Sequence, residues 1–383
     1  MRIIIIHRSF ALVGGAERVI IDKANYLAEK GHQVKLVSYE QGEHKLSYQL
    51  HPDVKYEDTN CRFFTLSKYS VVSHLIHFVR LKTEFTKKLS LIVERFSPEV
   101  IVLASDWTFL LKPVIKTAKG TSVMCEFHNS FDHIVKNIGG TDQGMKIRLT
   151  KAYYHHVIKG MRACACLISL TENDATHWRN YCDNVRIIPN PLTYFPDTIN
   201  DIPKESGRII FAGRLNAEKR IDRLISAFSL IADNYPQWHI SIFGEGTEKN
   251  ALEVLIQLKN MQKQISVNPP TDKIFDEYKK AQFLVLCSEY EARPLVLTEA
   301  MSCGTPCVSF DCPSGPSEII EDKVTGLLAE NGNIEDLAEK MEWMITHEAE
   351  RLEMGKKSRL AAEKYRPAVV MKEWEKAYMS FNK

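Results

Sequence analysis

Short apolar runs alternate with longer helical patterns along the whole chain. The runs are nearly continuous stretches of Ile, Val, Leu and Phe, as in Arg2–Ile6 and Val100–Ala104. Such runs are typical of parallel strands that are covered on both faces. Further strands are predicted at Gln33–Ser38, Ser122–Glu126, Cys166–Leu170, Arg186–Ile188, Arg208–Ala212, His239–Phe243, Phe283–Cys287, Pro306–Ser309 and Gly326–Ala329.

Helices are predicted between these strands in both halves of the chain. In the first half they are Ala16–Lys30, Val71–Phe96, Trp107–Ala118, Gly144–Ala163 and Glu172–Tyr181. In the second half they are Arg220–Asn234, Thr247–Met261, Ile274–Lys280, Pro294–Cys303 and Ile334–Thr346. Because strands and helices alternate throughout, the sequence predicts an α/β protein with doubly wound parallel sheets.

The alternation of strands and helices is interrupted at Pro189–Ser206, a stretch rich in turn-forming residues. It contains four prolines and several Asn and Asp residues, and it lacks hydrophobic periodicity. Such a stretch is typical of a linker. We therefore predict two Rossmann-like domains facing a cleft, at 1–190 and 191–366. The last helical pattern follows another helix rather than a strand, so we expect the C-terminal segment 367–383 to pack on the first domain.

The composition is that of an ordinary globular protein. The 383 residues are 44% hydrophobic and 26% charged, which excludes a disordered or collagen-like chain. The first strand begins at Arg2, which leaves no room for a signal peptide, and no apolar stretch reaches the roughly 18 residues of a membrane span. The nine Cys include no Cys-x-x-Cys pair, which indicates reduced thiols. We therefore expect a cytoplasmic protein.

The small net charge of +2 conceals an asymmetry between the two halves. Residues 1–195 contain 26 Lys and Arg against 18 Asp and Glu, a net charge of +8, and the remainder has a net charge of −6. Eleven of the 13 His residues also lie in the first half. We expect the first half to contact an anionic partner.

In open α/β sheets, ligands bind beyond the carboxyl ends of the strands, so the residues after each strand matter most. Gly14 and Gly15 follow the first strand and open a helix, where paired glycines let the backbone approach a ligand. An ordinary strand-to-helix turn explains them equally well. His128 follows Ser122–Glu126 and could donate a hydrogen bond to a sugar hydroxyl or shield developing positive charge. The alternative is a histidine that caps a loop carbonyl.

Two cations follow the first strand of the second half. Gly213 ends that strand, and Arg214 and Lys219 lie in the loop after it. An Arg fork and a Lys point charge suit a diphosphate, although isolated surface charges would look the same. Gly244 marks a second tight turn after the next strand, where the backbone can again come close to a ligand.

The segment around the predicted helix at Pro294 is the most informative part of the sequence. The amides of Leu295 and Val296 would point out of the helix start, where an anion binds well. Glu291 lies just before the helix and Glu299 lies inside it, so two carboxylates could bind the hydroxyls of two separate sugars. Cations, a helix start and two carboxylates together suit a nucleotide sugar. Two glutamates on an ordinary amphipathic helix are the alternative.

These motifs occur in the order found in glycosyltransferase family 4, and the chain resembles that family and its GT-B relatives over nearly its whole length. The shared motifs are Gly14-Gly15, Gly213-Arg214 with Lys219, Gly244-Glu245-Gly246, and Glu291 followed after seven residues by Glu299. The segment Ser309–Pro316 resembles bacterial members that assemble lipid-linked cell-surface glycans. The resemblance implies the GT-B fold and a retaining transfer that needs neither a metal nor another cofactor.

The resemblance also implies a role for each site residue. The second domain would bind most of the donor, with Arg214 and Lys219 on the diphosphate and Glu299 on the ribose. Glu291 would bind the donor sugar, and His128 would match the first-domain histidine near the reacting sugar. We therefore assign catalysis to His128, Glu291, Arg214 and Lys219. Donor binding is assigned to Gly14, Gly15, Gly213, Arg214, Lys219, Gly244, Glu291, Leu295, Val296 and Glu299.

The chain departs from the family pattern at two loops. Ala292-Arg293 replaces the usual Gly-Phe after the first glutamate, which narrows the approach to the sugar and adds a charge to the loop. Asn268-Pro269-Pro270 replaces a usual glycine in the loop expected near the base. No Asp-x-Asp occurs, so Arg214, Lys219 and the helix start must neutralise the leaving diphosphate.

Two basic helical segments could bring the first domain to an anionic membrane. Segment 144–163 places Arg148, Lys151, His155, Lys159 and Arg162 on one helical face, and 68–95 has a net charge of +4. Basic amphipathic helices bind anionic lipid surfaces, although a solvated helix face would have the same pattern. Nucleic-acid binding is not expected, because the basic residues lack interleaved aromatic residues and the second half is acidic.

We interpret the sequence as a retaining glycosyltransferase that moves a hexose or N-acetylhexosamine. The donor is expected to be a UDP-sugar, and the acceptor a glycan or lipid-linked glycan of cell-surface polysaccharide synthesis. Two alternatives stay open: a sugar-nucleotide epimerase on the same scaffold, and a non-catalytic two-domain sugar-binding protein. Release of UDP with and without an acceptor would separate the three.

Overall fold

The chain folds into two compact units, each built on one parallel sheet. The computed structural model describes residues 1–12, 14–104, 108–131, 134, 158, 160–199 and 204–381. The first unit comprises Met1–Pro191 and Ala368–Lys383, and the second comprises Leu192–Pro367. Helices cover both sheets, so the predicted fold of two Rossmann-like α/β domains is confirmed.

The sheet of the first unit has the strand order β3-β2-β1-β4-β5-β6-β7, and every pairing in it is parallel. Its strands are β1 (Arg2–His7), β2 (Gln33–Ser38), β3 (Lys55–Asp58), β4 (Val100–Ala104), β5 (Ser122–Glu126), β6 (Cys166–Ser169) and β7 (Val185–Ile187). Successive residues of β1 point to opposite faces of the sheet. Ile3 and Ile5 therefore belong to one hydrophobic layer, and Ile4 and Ile6 to the other.

Among the described residues of this unit, four helices follow in chain order before the C-terminal one. They are α1 (Gly15–Glu29), α2 (Val71–Phe96), α3 (Leu111–Ala118) and α4 (Glu172–Trp178). The predicted helix at Trp107–Ala118 is shorter, because its first described turn, Thr108–Leu110, is a 3₁₀ turn. Most of the predicted helix 144–163 lies outside the described residues, and Gly160–Ala163 forms a 3₁₀ turn.

The second unit has a parallel sheet in the order β10-β9-β8-β11-β12-β13. Its strands are β8 (Arg208–Ala212), β9 (His239–Phe243), β10 (Ile265–Asn268), β11 (Phe283–Leu286), β12 (Cys307–Phe310) and β13 (Gly326–Ala329). Its helices are α5 (Ile221–Ile231), α6 (Lys249–Leu258), α7 (Ile274–Lys280), α8 (Leu295–Ser302), α9 (Pro316–Ile319), α10 (Ile334–Thr346) and α11 (Glu348–Ala362).

Strand order reverses at one place in each sheet, and this place is where α/β sheets bind ligands. In the second unit it lies between β8 and β11, which pair in parallel through Ile209 and Phe283. In the first unit it lies between β1 and β4. The loops that leave β8 and β11 are the ones that carry Lys219 and Glu291.

The chain ends in α12 (Pro367–Met379), whose apolar face packs on the first unit. Val370, Trp374, Ala377 and Tyr378 recur at helical spacing and are buried in the same layer as Ile3 and Ile5. The indole Nε1 of Trp374 donates to the carbonyl of Pro189 across 3.3 Å.

Candidate functional site

The loops after β8 and β9 touch each other through their glycines. Gly213 has a φ of +154° and its amide donates to the carbonyl of Phe243 across 3.0 Å. A Cβ on Gly244 would lie 2.0 Å from the carbonyl oxygen of Gly213. A Cβ on Gly246 would lie 2.4 Å from the carbonyl oxygen of Leu215. Glycine is therefore required at 244 and 246, because any side chain there would push the two loops apart.

Lys219 and Glu291 form the centre of the site in the second unit. Lys219 Nζ donates to Glu291 Oε1 across 2.6 Å, and Ser288 Oγ donates to the same oxygen across 2.6 Å. Both charged side chains are largely buried. The sequence predicts Lys219 at a diphosphate and Glu291 at a sugar, and the structure brings these two side chains into direct contact.

Arg214 has a different environment from Lys219. Its side chain is 61% exposed, and its guanidinium lies 3.9 Å from the carboxylate of Glu218. The described contacts do not place it against the Lys219–Glu291 pair. An exposed guanidinium on a short loop can turn towards an anion with little cost in desolvation.

Helix α8 begins directly after the loop that carries Glu291. Pro294 is its extended N-cap residue, and helix geometry leaves the amides of Leu295 and Val296 without partners inside the helix. These amides form a positive helix end of the kind that binds anions. The helix start and the Lys219–Glu291 pair thus belong to one short segment of chain.

Glu299 lies in the same helix and has a buried tyrosine beside it. Tyr278 Oη donates to Glu299 Oε2 across 3.1 Å. Burial, together with the nearby Glu299 carboxylate, raises the pKa of Tyr278 well above its usual value. The phenol therefore remains a hydrogen-bond donor, and it orients the carboxylate expected to bind the ribose.

Contacts of Arg293 and Pro294 fix the loop between Glu291 and α8. Arg293 donates to Tyr365 Oη across 2.8 Å and lies 3.6 Å from the carboxylate of Glu318. A Cβ added to Gly315, whose φ is +105°, would lie 2.8 Å from Pro294 Cδ. Pro294 therefore packs closely against Gly315. The positive charge that Arg293 adds to this loop therefore lies against Tyr365 and Glu318.

The predicted glycines of the first unit open helix α1. Gly14 is the N-cap residue and has extended backbone angles, and Gly15 is the first residue of the helix. At the neighbouring end of β1, His7 Nδ1 lies 2.5 Å from the carbonyl oxygen of Ala104, the last residue of β4. His7 thus bridges the two strands at which the strand order reverses.

His128 lies just beyond β5 and beside a buried carboxylate. Its Nε2 lies 3.7 Å from Glu126 Oε2, which is longer than a hydrogen bond. Glu126 itself contacts Lys23 and Tyr378. Glu126 could have been noticed in the sequence, since it ends an apolar strand two residues before His128. Lys23 also carried a signal, because it occupies the apolar stripe of α1 with Ile20 and Leu27.

The described residues contain neither a cluster of metal-ligating side chains nor a membrane-spanning helix. Within the described ranges, no three His, Cys, Asp or Glu side chains are grouped so that they could hold a metal ion. Among the same residues, none of the helices combines the length and the apolar character needed to cross a bilayer.

Both units match known sequence families. Residues 13–193 match Glycosyltransferase Family 4, and residues 197–361 match Glycosyl transferases group 1. The chain is a two-domain glycosyltransferase. The family resemblance found in the sequence is therefore confirmed, and the two matched segments correspond to the two units.

Relatives of this glycosyltransferase include an uncharacterized glycosyltransferase of Haemophilus influenzae, 27% identical over 365 residues, which covers 94% of this chain and 95% of the relative. The Poly(ribitol-phosphate) alpha-N-acetylglucosaminyltransferase of Staphylococcus aureus is 28% identical over 293 residues, covering 70% of this chain and 57% of that enzyme. Among solved structures, a variant of S. aureus TarM in complex with Fondaparinux, alpha-GlcNAc-glycerol and UDP has a TM-score of 0.75 at 16% identity, and the match covers 98% of this chain and 99% of that one. This last likeness supports the GT-B fold.

Proposed function

We propose that this glycosyltransferase retains the anomeric configuration and transfers a hexose or an N-acetylhexosamine from a UDP-sugar. The acceptor is a hydroxyl group of a glycan or lipid-linked glycan, and the pathway is cell-surface polysaccharide synthesis at the cytoplasmic face of the membrane. The observation that carries the proposal is the Lys219–Glu291 pair beside the start of α8. The S. aureus relative, a poly(ribitol-phosphate) alpha-N-acetylglucosaminyltransferase, likewise transfers an N-acetylhexosamine to a polymer acceptor.

The donor lies along the loops after β8 and β11 in this proposal. Lys219 and Arg214 bind the diphosphate together with the amides of Leu295 and Val296. Glu299 accepts hydrogen bonds from the ribose hydroxyls. Glu291 accepts hydrogen bonds from hydroxyls of the donor sugar, which lies next to the diphosphate. The short distance between Lys219 and Glu291 is consistent with this order, because the sugar and its phosphate are also neighbours.

The transfer step proposed here is the one that the family resemblance implies. The acceptor oxygen bonds to the anomeric carbon as the bond from that carbon to the diphosphate breaks. The departing phosphate oxygen takes the acceptor proton on the same face of the sugar, and UDP leaves. The cations and amides around the diphosphate stabilise its growing negative charge. His128 presents one ring nitrogen to the donor sugar and shields the positive charge that develops on the sugar ring.

The test is a screen of UDP-sugars against lipid-linked acceptors, with UDP release and product mass as readouts. We expect UDP release that depends on an acceptor, and NMR of the product should show the anomeric configuration of the donor. An epimerase would change the donor without an acceptor, and a binding protein would release no UDP. Either result would refute the proposed function.

The proposal includes transfer without a metal ion, because Arg214, Lys219 and the α8 amides supply the positive charge. Turnover should therefore persist in EDTA. Loss of turnover in EDTA with recovery in Mn²⁺ or Mg²⁺ would contradict this part of the proposal.

We further propose that α2 docks on an anionic membrane. Leu75, Ile76 and Val79 are exposed along this helix, and the basic residues Arg80 and Lys82 lie next to them. Exposed apolar residues with flanking cations suit a lipid surface. The other basic segment proposed for docking, 144–163, lies mostly outside the described residues.

Sedimentation with liposomes containing anionic lipid tests this docking. Replacing Leu75, Ile76 and Val79 together by Ser should abolish sedimentation of the chain with the vesicles. A matched control replaces Leu352 and Leu360, which are exposed on α11, and should leave it unchanged. Wild-type chain that stays in the supernatant at low salt would refute the docking.

A further inference from the structure

A buried ion pair lies in the first unit, beside the candidate catalytic histidine. The side chains of Lys23 and Glu126 are 0% and 1% exposed. Lys23 Nζ donates to Glu126 Oε2, and Tyr378 Oη donates to Glu126 Oε1 across 2.5 Å. The three residues come from α1, β5 and α12. Residues separated by more than 250 positions in the chain therefore meet at one carboxylate.

The C-terminal helix α12 covers the Lys23–Glu126 pair with aromatic side chains. Lys23 Nζ lies 3.6 Å from the ring centroid of Trp374 and 5.9 Å from that of Tyr378. An ammonium over an aromatic face is stabilised by the negative charge of the ring face. Helix α12 thus supplies an aromatic wall to the lysine and a hydroxyl donor to the carboxylate.

The carboxylate is held in its ionised form. Burial alone would raise the pKa of Glu126, but Lys23 and His128 together outweigh it and lower that pKa to about 2. Burial and the Glu126 charge raise the pKa of Tyr378, so its hydroxyl stays protonated and can donate. Burial outweighs the attraction of Glu126 and lowers the pKa of Lys23.

Burying an ion pair of this kind in a protein core has a large desolvation cost. The cost of removing two charges from water can exceed their mutual attraction, and apolar side chains of similar size are often as stable or more stable. Stability alone therefore does not explain why charged side chains lie between α1, β5 and α12. This suggests a role beyond stability.

His128 supplies the second, independent observation. Its side chain is only 6% exposed, and neither ring nitrogen has a hydrogen-bond partner among the described residues. Buried polar atoms are nearly always hydrogen-bonded, so an unpaired imidazole points to a ligand that completes it. A carboxylate oxygen, Glu126 Oε2, lies 3.7 Å from Nε2.

We propose that Glu126 is a positioning residue for His128, and that Lys23, Trp374 and Tyr378 hold its carboxylate in place. The inference rests on the role proposed above for His128 at the donor sugar. The carboxylate attracts the Nε2 edge of the imidazole and favours a proton there, because the partner of one ring nitrogen sets the state of the other. Nδ1 is then the nitrogen that meets the ligand. The C-terminal helix is thereby part of the catalytic architecture of the first unit.

The decisive experiment replaces the pair by apolar residues of similar size, in the variant Lys23→Met/Glu126→Leu. A purely structural pair predicts unchanged activity, because the packing is kept. Our inference predicts a kcat lower by about 10- to 100-fold, the usual cost of losing an orienting residue. The Kd for UDP should be close to wild type. The midpoint of thermal unfolding should change little, because removing the desolvation cost of the pair offsets the loss of the acceptor of Tyr378 Oη.

A matched control uses a second Lys–Glu pair of the same unit. Lys35 and Glu57 lie 2.8 Å apart on neighbouring strands, and Lys35 also lies over an aromatic ring. The variant Lys35→Met/Glu57→Leu should keep the wild-type kcat. An equal loss of kcat in both pair variants would overturn the inference.

The His128→Ala background separates positioning from structure. If Glu126 acts through His128, adding Lys23→Met/Glu126→Leu to His128→Ala should lower kcat by less than about three-fold more, because the two changes remove one function. Equal losses in the two backgrounds would overturn the inference. A wild-type kcat in His128→Ala would instead refute the role proposed for His128.

Milder variants cover the case in which the pair variant does not fold. Glu126→Gln keeps the shape and removes the charge, and it should lower kcat at unchanged UDP affinity. Tyr378→Phe removes one donor and should lower kcat by about five-fold, the equivalent of one hydrogen bond. Wild-type kcat in both variants would overturn the inference, whereas absence of transfer by the wild-type chain itself would refute the proposed function instead.

Discussion

Lys219 Nζ donates a hydrogen bond to Glu291 Oε1 across 2.6 Å. The residue proposed for the diphosphate and the residue proposed for the donor sugar are therefore in direct contact. The pair lies where the loops after β8 and β11 meet, at the reversal of strand order in the second unit. A ligand that binds there must share or replace this bond. The first prediction follows from that exchange.

Removing either partner of this pair should have different consequences. Glu291→Ala should lower kcat with little change in the Kd for UDP, because Lys219 remains available to the phosphates. Lys219→Ala should lower kcat and weaken UDP binding by about 10- to 100-fold, the value of a charged hydrogen bond. Calorimetric titration with UDP beside initial-rate kinetics checks both. Equal effects of the two substitutions on UDP affinity would contradict the assignment.

Glu299 should be the residue that detects the ribose hydroxyls. Glu299→Gln should weaken binding of UDP by about ten-fold and leave binding of its 2′,3′-dideoxy analogue nearly unchanged, because the lost hydrogen bonds go to those hydroxyls. Tyr278→Phe should have a smaller effect in the same direction, since its phenol only orients the carboxylate. The contrary result is an equal loss of affinity for both ligands.

Gly244 should be intolerant of even one added methyl group. Gly244→Ala places a Cβ about 2.0 Å from the carbonyl oxygen of Gly213, and backbone cannot give way as a side-chain tip can. We expect lower thermal stability and weak UDP binding. Gly160→Ala is the control, because a Cβ there would lie 3.9 Å from Lys112 Cε, an ordinary van der Waals contact, and the φ of Gly160 is not positive. Similar unfolding midpoints for the two variants would show that the loops after β8 and β9 can separate freely.

Arg293 should stabilise the loop that carries Glu291. Arg293→Ala removes the bond to Tyr365 and the contact with Glu318, which should lower the free energy of unfolding by about 1–3 kcal/mol. Arg293→Lys should restore only part of the loss, because Lys lacks the planar fork. Denaturant unfolding gives the values. Full rescue by Lys would show that charge alone matters at this position.

The Lys23–Glu126 pair should make stability depend on acid. The pKa of Glu126 is about 2 in the folded chain and near its usual value of 4.5 when unfolded. Its contribution is therefore complete above about pH 4.5 and is lost as the pH falls towards 2. The free energy of unfolding of the wild type should fall more steeply over this window than that of Lys23→Met/Glu126→Leu. Parallel pH profiles would contradict the shifted pKa.

Most of the fold could be predicted from the sequence, because buried parallel strands are continuous apolar runs. Four of the described elements were missed, β3, β10, α9 and α11. Two of them, β3 and α11, lack that signal. Strand β3 is an edge strand with the polar sequence Lys-Tyr-Glu-Asp. Helix α11 turns Arg351, Gly355 and Ser358 towards the interior, so it has no apolar stripe to detect.

The candidate site was only partly accessible to sequence reasoning. Motif spacing indicated Lys219, Glu291 and Glu299 as ligand-binding residues, since each belongs to a local sequence pattern after a strand. It could not supply Tyr278 or Tyr378, because those contacts join distant segments of the chain. The strand order that brings the loops after β8 and β11 together likewise arises only on folding.

The most direct test of the central claim is a crystal structure of the chain with bound UDP. We predict the diphosphate against Lys219, Arg214 and the amides of Leu295 and Val296, with the ribose hydroxyls on Glu299. Nucleotide bound elsewhere, with the Lys219–Glu291 bond and the hydrogen bond from Tyr278 to Glu299 both unchanged, would contradict the account.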